Sequence, residues 1–397
     1  MELSRRVQAI KPSPTLAVTA RAAMLKASGR DIIGLGAGEP DFDTPQHIKD
    51  AAIGAINAGF TKYTAVDGTP SLKAAIIAKF KRDNGLDYAP KQILVSCGGK
   101  QSFFNLVQAV INPGDEVIIP APYWVSYPDI VILADGKPVT IEAGIEQGFK
   151  ITPAQLEAAI TSRTRLFVIN SPSNPTGAVY TREELAAIGE VLRKHPQVLI
   201  ATDDMYEHIR LNDVPFVNIL NTCPDLYDRT LVLNGVSKAY SMTGWRIGYA
   251  AGPETILRAM TNVQSQSTSN PTSISQVAAE AALNGDQGCM APMLAAFRER
   301  HRLVVDGLNA IPGFKCVDSG GAFYAFADAR AAISSLLARD IIEEGTDIAF
   351  SEYLLESADV AVVPGSAFGA EGYIRLSFAT SRDNLEKALA RLAAALA

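Results

Sequence analysis

The chain has 397 residues, of which 48% are hydrophobic and 20% are charged, and its formal net charge at pH 7 is −6. This length exceeds what one ordinary hydrophobic core supports, so we expect two domains. The negative net charge offers no basic field for the phosphates of nucleic acids or for an anionic membrane surface. We therefore predict that neither nucleic acid nor membrane is a partner of this protein.

The cysteines and histidines give no sign of a disulfide framework or a metal site. Both residue types are scattered along the chain, no CxxC pair occurs, and no spacing matches a zinc site. The N-terminal sequence lacks the apolar core of a signal peptide, and no apolar run reaches the roughly 18 residues of a membrane span. The sequence thus predicts free thiols, no metal and a cytoplasmic location.

Helical and strand patterns alternate from about residue 46 to residue 290. Apolar residues recur at helical spacing between capping residues and predict helices at 45–59, 69–85, 100–111 and 182–195. Short β-branched runs predict strands at 92–96, 116–121, 165–170, 197–202, 230–235 and 245–251. Because these strands are almost wholly apolar, we expect a mostly parallel sheet with helices on both faces, which is an α/β fold.

The pattern changes from about residue 291 onward. A long helix is predicted at 293–311, and it is followed by short strands at 321–327, 360–364 and 373–379 and by a closing helix at 382–397. This order is typical of an α+β domain. We therefore predict three parts: an N-terminal segment that packs with the small domain, a large domain and a small C-terminal domain, at 1–45, 46–290 and 291–397.

Polar loops follow the predicted strands of the large domain, and in an open parallel sheet ligands bind beyond the carboxyl ends of the strands. These loops read "CGGKQ", "SPSNPTG", "DDMYEH" and "VSKAYS", and the first leads into a helix whose N-terminus would suit an anion. Each loop also has a structural explanation, such as a tight turn, a helix cap or a surface lysine. Their convergence on one edge of the sheet favours a ligand site.

A family resemblance rests on three segments in particular. "SPSNPTG", "DDMYEH" and "SKAYSMTGWRIGYAAGP", in this order and spacing, resemble the fold-type I pyridoxal-phosphate (PLP) aminotransferases of class I. "GAGEPDFDTP", "GGKQSFFN" and "APYWVSYP" are similar to the bacterial aspartate aminotransferase subgroup, some of whose members also transaminate prephenate. The resemblance covers nearly the whole chain. It implies a mostly parallel, seven-stranded sheet between helices, a smaller α+β domain, and a homodimer with shared sites.

The activity implied by this resemblance is a PLP-dependent, ping-pong amino transfer. L-Aspartate and 2-oxoglutarate would give oxaloacetate and L-glutamate, and prephenate would give arogenate. Alternatives within the same fold are an aromatic or other amino-acid aminotransferase and a PLP β-lyase. A PLP-binding regulator is an alternative from another class, but it would need an attached DNA-binding domain, for which residues 1–40 are too few.

The resemblance also implies the residues that act on the cofactor. Lys238 would form the Schiff base and shuttle the proton, and uncharged neighbours would lower its pKa so that the amine is nucleophilic. Asp203 would keep the ring nitrogen protonated, and Tyr206 would hydrogen-bond the phenolic oxygen of the ring. The remaining implied cofactor contacts are Gly99, Lys100, Ser237 and Arg246 at the phosphate, Trp124 and Asn174 at the ring, and Tyr63 from the partner subunit.

The substrate would need cationic or N–H partners, because a dicarboxylic amino acid carries negative charge at both ends. The resemblance implies that Arg375 pairs with the α-carboxylate and that Gly38 supplies a backbone contact. Trp124 and Asn174 would contact the substrate as well as the cofactor. Lys100 and Thr15 are implied for the distal carboxylate, and Lys11 for the acceptance of prephenate.

Overall fold

The computed structural model describes residues 2–12 and 14–397. The N-terminal region contains helices α1 (Arg5–Ala9) and α2 (Pro14–Ala27) and the short strand β1 (Ile33–Gly34). β1 pairs in parallel with β11 (Val360–Ala361) from the far end of the chain. Ala22 of α2 packs with Leu355 and Ala361 in a small apolar cluster, so the start of the chain lies against its C-terminal part.

The middle of the chain forms a seven-stranded sheet with the strand order β2-β8-β7-β6-β5-β3-β4. Its strands are β2 (Ile93–Ser96), β3 (Glu116–Ala121), β4 (Lys137–Glu142), β5 (Thr164–Asn170), β6 (Leu199–Asp203), β7 (Thr230–Gly235) and β8 (Gly248–Ala251). β8 runs antiparallel to both of its neighbours, and the other pairings are parallel. The predicted α/β fold with a mostly parallel sheet is therefore confirmed.

Helices cover both faces of this sheet, because its strands are apolar on both sides. Along β5, Leu166 and Val168 belong to the core on one face, and Phe167 and Ile169 belong to the core on the other. The helices of this region are α3 (Gln46–Asn57), α4 (Pro70–Lys79), α5 (Gly99–Val110), α6 (Ser126–Leu133), α7 (Pro153–Ala159), α8 (Arg182–Lys194), α9 (Ile219–Thr222), α10 (Glu254–Ser265) and α11 (Ser273–Asn284).

Two details of the sheet differ from the strand predictions. β4 was not among the predicted strands, because its sequence "KPVTIE" has charged ends and exposed positions, as an edge strand does. The strand predicted at 245–251 begins only at Gly248, because Trp245 closes a 3-10 turn and Arg246 has a left-handed φ of 57°. This turn lifts Arg246 out of the strand and away from the ladder of backbone hydrogen bonds.

The C-terminal region builds a second, smaller sheet with its own core. The antiparallel order is β12-β13-β10-β9, and Phe297, Phe323 and Phe350 are among its fully buried side chains. Its elements are α12 (Ala291–Asn309), β9 (Lys315–Cys316), β10 (Tyr324–Asp328), α13 (Arg330–Ala338), α14 (Asp347–Ala358), β12 (Val363–Pro364), β13 (Tyr373–Ser377) and α15 (Arg382–Leu396). Within 2–12 and 14–397, no helix combines the length and apolar character needed to cross a membrane.

Strand register brings several chemically active loops to one edge of the large sheet. Asn170, the last residue of β5, pairs with Asp203, the last residue of β6. Asp203 in turn pairs with Leu233 on β7, two residues before that strand ends. Because parallel strands share one carboxyl edge, the loops that follow β2, β5, β6 and β7 meet there.

Candidate active site

A cavity of about 260 Å³ opens at this edge of the large sheet, between it and the C-terminal sheet. Its walls come from the loops after β5, β6 and β7, from the first turn of α5, and from β10 and β13. The residues predicted for the site that line it are Thr15, Gly38, Gly99, Lys100, Trp124, Asn174, Asp203, Tyr206, Ser237, Lys238, Arg246 and Arg375. One cavity therefore gathers residues that span most of the chain.

Lys238 projects into this cavity from the loop that follows β7. Its Nζ donates a hydrogen bond to the carbonyl oxygen of Gly38 at 2.6 Å, and this acceptor is uncharged. Burial, with a further contribution from the cation of Arg246, lowers the pKa of the Lys238 amine to about 8. At pH 7 about a tenth of this amine is therefore unprotonated and able to act as a nucleophile.

Asp203 faces the cavity from the end of β6 and is held by two donors. The hydroxyl of Tyr127 donates to its Oδ2 at 2.5 Å, and the backbone N–H of Met205 donates to its Oδ1 at 3.2 Å. Burial raises the pKa of Asp203, and both hydrogen bonds oppose that rise. A cationic partner in the cavity would complete the stabilisation of the carboxylate.

The first turn of α5 and the guanidinium of Arg246 form a second wall. Gly98, which precedes the helix, has a φ of 89°, and a Cβ there would lie 2.3 Å from Nη2 of Arg246. The guanidinium donates to the carbonyl oxygens of Thr243 and Cys97 at 2.9 and 3.3 Å. The left-handed backbone of Arg246 is a strained conformation of the kind found at ligand sites, and its guanidinium fits here because residue 98 has no side chain. The helix start supplies further N–H groups for an anion.

Arg375 lies on β13 at the opposite side of the cavity, with 2% of its surface exposed. Its Nη1 donates to Oδ1 of Asn174 at 2.9 Å, and its Nη2 donates to the carbonyl oxygen of Gly36 at 2.7 Å. Among the described residues, no carboxylate forms an ion pair with it, and its buried Nε lacks an acceptor. A buried arginine without an anionic partner is costly, so this group is suited to a ligand carboxylate.

Aromatic side chains line the rest of the cavity. The hydroxyls of Tyr206 and Tyr324 lie 2.9 Å apart, and both rings are buried. Trp124 packs edge-on against Tyr127, with ring centroids 5.1 Å apart, and Nζ of Lys100 lies 5.2 Å from the Trp124 ring. These contacts leave the Trp124 ring on the cavity wall, where it can cover a planar ligand.

Two predicted site residues lie outside the cavity in the single chain. Tyr63 is 91% exposed, and Lys11 is also exposed. Their implied roles stay predictions.

Three residues that contribute to the site were not singled out from the sequence: Asn170, Tyr127 and Tyr324. Asn170 accepts from the backbone N–H of Asn174 at 2.8 Å and so shapes the loop after β5.

The charge balance of the cavity points to an anionic ligand. Its cationic lining residues are Lys100, Lys238, Arg246 and Arg375. Within the part of the chain that the structure describes, Asp203 is the one carboxylate among its lining residues. Such a cavity fits a ligand that carries phosphate and carboxylate groups together with one protonated nitrogen.

Known proteins are similar to this chain over most or all of its length. A sequence model of the family "Aminotransferase class I and II" matches residues 30–392. The aspartate/prephenate aminotransferase of Nitrosomonas europaea is 70% identical over 396 residues, which is 100% of both chains. The aspartate aminotransferase from Rhizobium meliloti has a solved structure with a TM-score of 0.94 and 50% identity, covering 100% of this chain and 99% of that one.

The structure of the aspartate aminotransferase from Thermus thermophilus with maleate has a TM-score of 0.92 and 45% identity, and 100% of both chains is covered. The identity of 70% to the Nitrosomonas europaea relative extends over the full matched length. Together with the match to the family model, it shows that this chain belongs to the class I and II aminotransferases.

Proposed function

We propose that this aminotransferase uses PLP to transfer the amino group of L-aspartate to 2-oxoglutarate, which gives oxaloacetate and L-glutamate, and that it also accepts prephenate, which gives arogenate. The observation that carries the proposal is Arg375, a buried cation without an anionic partner among the described residues, in the same cavity as the amine of Lys238. The name of the Nitrosomonas europaea relative supports both aspartate as an amino-group donor and prephenate as an amino-group acceptor.

The cavity fits the chemistry of a phosphorylated pyridine aldehyde. Arg246, Ser237 and the first turn of α5, at Gly99 and Lys100, would hold its phosphate, because they combine a planar cation with hydroxyl and N–H donors. Asp203 would pair with the protonated ring nitrogen. Further contacts to the ring would come from Trp124 on its face and from Tyr206 and Asn174 at its phenolic oxygen.

When bound, PLP supplies an electron sink for the electron pair left at the substrate Cα. Lys238 would hold the cofactor covalently through its Nζ, and the amino group of the substrate would replace it there. Its Nζ would then move the proton at Cα as a general acid–base catalyst, a role that its lowered pKa of about 8 favours. The same residue would act in the reverse direction with the second oxo acid. The reaction would be ping-pong because the first oxo acid leaves before the second one binds.

The substrate's two ends would be held by different elements. Arg375 would bind the α-carboxylate through its planar fork, with Gly38 as a backbone partner. Lys100 and Thr15, which lie at the cavity wall, would bind the distal carboxylate, and Lys11 would favour prephenate. The Thermus thermophilus relative was solved with maleate, a compound with two carboxylates, which supports a site for a dicarboxylic substrate.

The proposal includes a homodimer in which Tyr63 reaches the phosphate of the partner's cofactor. Its support is the 91% exposure of Tyr63 and the exposure of Arg246 in a single chain. We also propose 46–290 as the cofactor-binding domain, 291–397 as the small domain, and 1–45 as an arm that packs on the small domain. A cytoplasmic location is supported by four cysteines that are all free thiols.

A labelling experiment tests the cofactor assignment. The purified protein is incubated with PLP, reduced with borohydride and digested, and the modified peptide is identified by mass spectrometry. We expect one adduct, at Lys238, and no adduct or turnover in Lys238→Ala. A normal cofactor absorbance band in that variant would contradict the assignment.

A kinetic comparison tests the substrate. Aspartate, glutamate, phenylalanine and prephenate are each assayed as amino-group donors or acceptors with the appropriate oxo acid or amino acid. We expect aspartate with 2-oxoglutarate to give glutamate, and prephenate to be aminated. Release of pyruvate or ammonia from the amino acid would instead indicate a β-lyase, and a strong preference for phenylalanine would indicate an aromatic aminotransferase.

A further inference from the structure

Tyr324 contacts two of the proposed functional groups at once, although its motif "GAFYAFA" predicts no more than a strand. It is the first residue of β10, its side chain is fully buried, and it lines the cavity. Its hydroxyl lies 2.9 Å from that of Tyr206, and its ring centroid lies 4.4 Å from the guanidinium carbon of Arg375. The small and large sheets therefore meet at this side chain.

The ring of Tyr324 holds the guanidinium of Arg375 in place. The guanidinium lies 4.4 Å from the Tyr324 ring and 4.9 Å from the Phe368 ring, so two aromatic faces fix the plane of the cation. Bidentate binding of a carboxylate depends on that plane. A loss of the Tyr324 ring would leave the two hydrogen bonds of Arg375 in place and loosen its orientation.

The hydroxyl of Tyr324 acts on Tyr206. Burial raises the pKa of both phenols, so both keep their protons at neutral pH. When two hydroxyls share one hydrogen bond, one of their two protons is left for a third acceptor. Among the described residues, the Tyr206 hydroxyl has no other side-chain or backbone partner. The charged groups that face the pair are Arg375 and Asp203. The geometry allows either hydroxyl to donate, and the cation of Arg375, which lies over the Tyr324 ring, favours Tyr324 as the donor. The proton of Tyr206 is then available to the cavity.

We propose that Tyr324 is a positioning residue that links the two ends of the reaction site. Its ring orients Arg375 for the substrate carboxylate, and its hydroxyl directs the proton of Tyr206 towards the cofactor's phenolic oxygen. This proposal rests on the proposed function, because that function places PLP beside Tyr206. A donor to that oxygen stabilises its deprotonated form, so the hydrogen bond from Tyr324 lowers the pH at which the bound cofactor changes colour.

Two substitutions distinguish the contribution of the Tyr324 hydroxyl from that of its ring. In Tyr324→Phe, loss of one neutral hydrogen bond should move the pH midpoint of the cofactor absorbance upward by about 0.4 to 1 unit, and KM for aspartate should stay within about twofold. In Tyr324→Leu, loss of the cation–π contact should raise that KM by about 3- to 30-fold. Tyr373→Phe is the matched control, because Tyr373 is a buried tyrosine of the same sheet that packs on Phe326.

A double-mutant cycle distinguishes positioning from a general structural effect. In the Tyr206→Phe background, Tyr324→Phe should produce no further shift of the absorbance midpoint. An unchanged midpoint in Tyr324→Phe alone, or an equal shift in the Tyr206→Phe background, would overturn the proposal. Tyr324→Phe keeps the ring and remains decisive if Tyr324→Leu does not fold. Wild-type protein that forms no PLP adduct would instead refute the proposed function.

Discussion

The amine of Lys238 should be far more reactive at neutral pH than an ordinary lysine. The site lowers its pKa from 10.5 to about 8 through burial and the nearby cation of Arg246. At pH 7 the neutral fraction then rises from about 0.03% to about 9%, which is roughly a 300-fold gain. The negative charge of Glu39 acts in the opposite direction, so the two neighbours can be tested against each other.

Competitive acetylation of the cofactor-free protein measures the neutral fraction of the Lys238 amine directly. The protein is treated with trace acetic anhydride between pH 6 and pH 11, and peptide mass spectrometry follows acetylation at Lys238. Lys91, whose side chain is 79% exposed, is the internal reference for the reactivity of the reagent. We expect labelling of Lys238 to reach half of its maximum near pH 8, with the midpoint higher in Arg246→Gln and lower in Glu39→Gln. A midpoint above pH 10 in the wild type, or shifts of the opposite sign, would refute the electrostatic reasoning.

The lowered pKa of Lys238 also changes the free energy of unfolding within a defined pH range. Because the pKa of Lys238 in the folded protein lies below 10.5, the unfolded chain binds more protons between about pH 8 and pH 10.5. This group therefore reduces stability by about 3 kcal/mol below pH 8, and the reduction disappears as the pH rises to 10.5. The free energy of unfolding of Lys238→Met relative to wild type, measured by urea denaturation without cofactor, should follow that dependence.

Three other substitutions test separate walls of the cavity. Tyr127→Phe removes the 2.5 Å hydrogen bond to Asp203, which is worth about 1.5–3 kcal/mol for a charged acceptor, so kcat should fall about 10- to 150-fold. Arg375→Ala should raise KM for every amino acid, because each has an α-carboxylate, and steady-state kinetics with several donors checks this. Gly98→Ala forces a Cβ to within 2.3 Å of the Arg246 guanidinium, so cofactor affinity in an absorbance titration should fall at least about tenfold.

One matched control and the outcomes that would contradict the reasoning complete these three tests. Gly59→Ala introduces the same change at a φ of 72°, with no heavy atom within 4 Å of the new Cβ, so it reports backbone strain alone. A fall in cofactor affinity in Gly59→Ala equal to that in Gly98→Ala would remove the steric argument. A loss in Arg375→Ala confined to dicarboxylic substrates would place Arg375 at the distal carboxylate. A normal kcat in Tyr127→Phe would mean that Asp203 needs no orienting donor.

The sequence predicted the fold class because the pattern that determines it is local. Alternating apolar strands and capped helices specify a covered parallel sheet, and the position of Asp203 follows from the end of one such strand. β4 escaped prediction because its polar ends and half-exposed positions carry no strong strand pattern. The edge of a sheet is where the hydrophobic signal is weakest.

Some residues of the candidate site could not be identified from local sequence pattern for a related reason. Tyr127 and Tyr324 lie inside a helix and a strand, where an aromatic residue is normally part of the core, so nothing in the local pattern marks their hydroxyls as functional. Their partners are 76 and 118 residues distant in the chain. Arg375 was identified by resemblance, because a lone arginine in an apolar strand does not reveal whether an acid neutralises it. Only the folded structure reveals which polar atoms meet.

The way the cavity holds its cations separates it from the rest of the interior. Lys79, which is buried at 1% exposure outside the cavity, forms an ion pair with Glu207. By contrast, the hydrogen bonds of Lys238, Arg246 and Arg375 go to backbone carbonyl oxygens and one amide oxygen, which orient a cation without neutralising it.

The proposed function accounts for this difference. A carboxylate beside Arg375 would stabilise the folded protein, but it would also compete with the substrate carboxylate for the same planar fork. An acid hydrogen-bonded to Lys238 would raise the pKa of the amine and so remove the neutral fraction on which its nucleophilicity depends. Uncharged acceptors fix the geometry of both groups and leave their charge for the ligand. The few charges in the sequence around Lys238 fit the proposed chemistry, since an acid hydrogen-bonded to the amine would keep it protonated and unreactive.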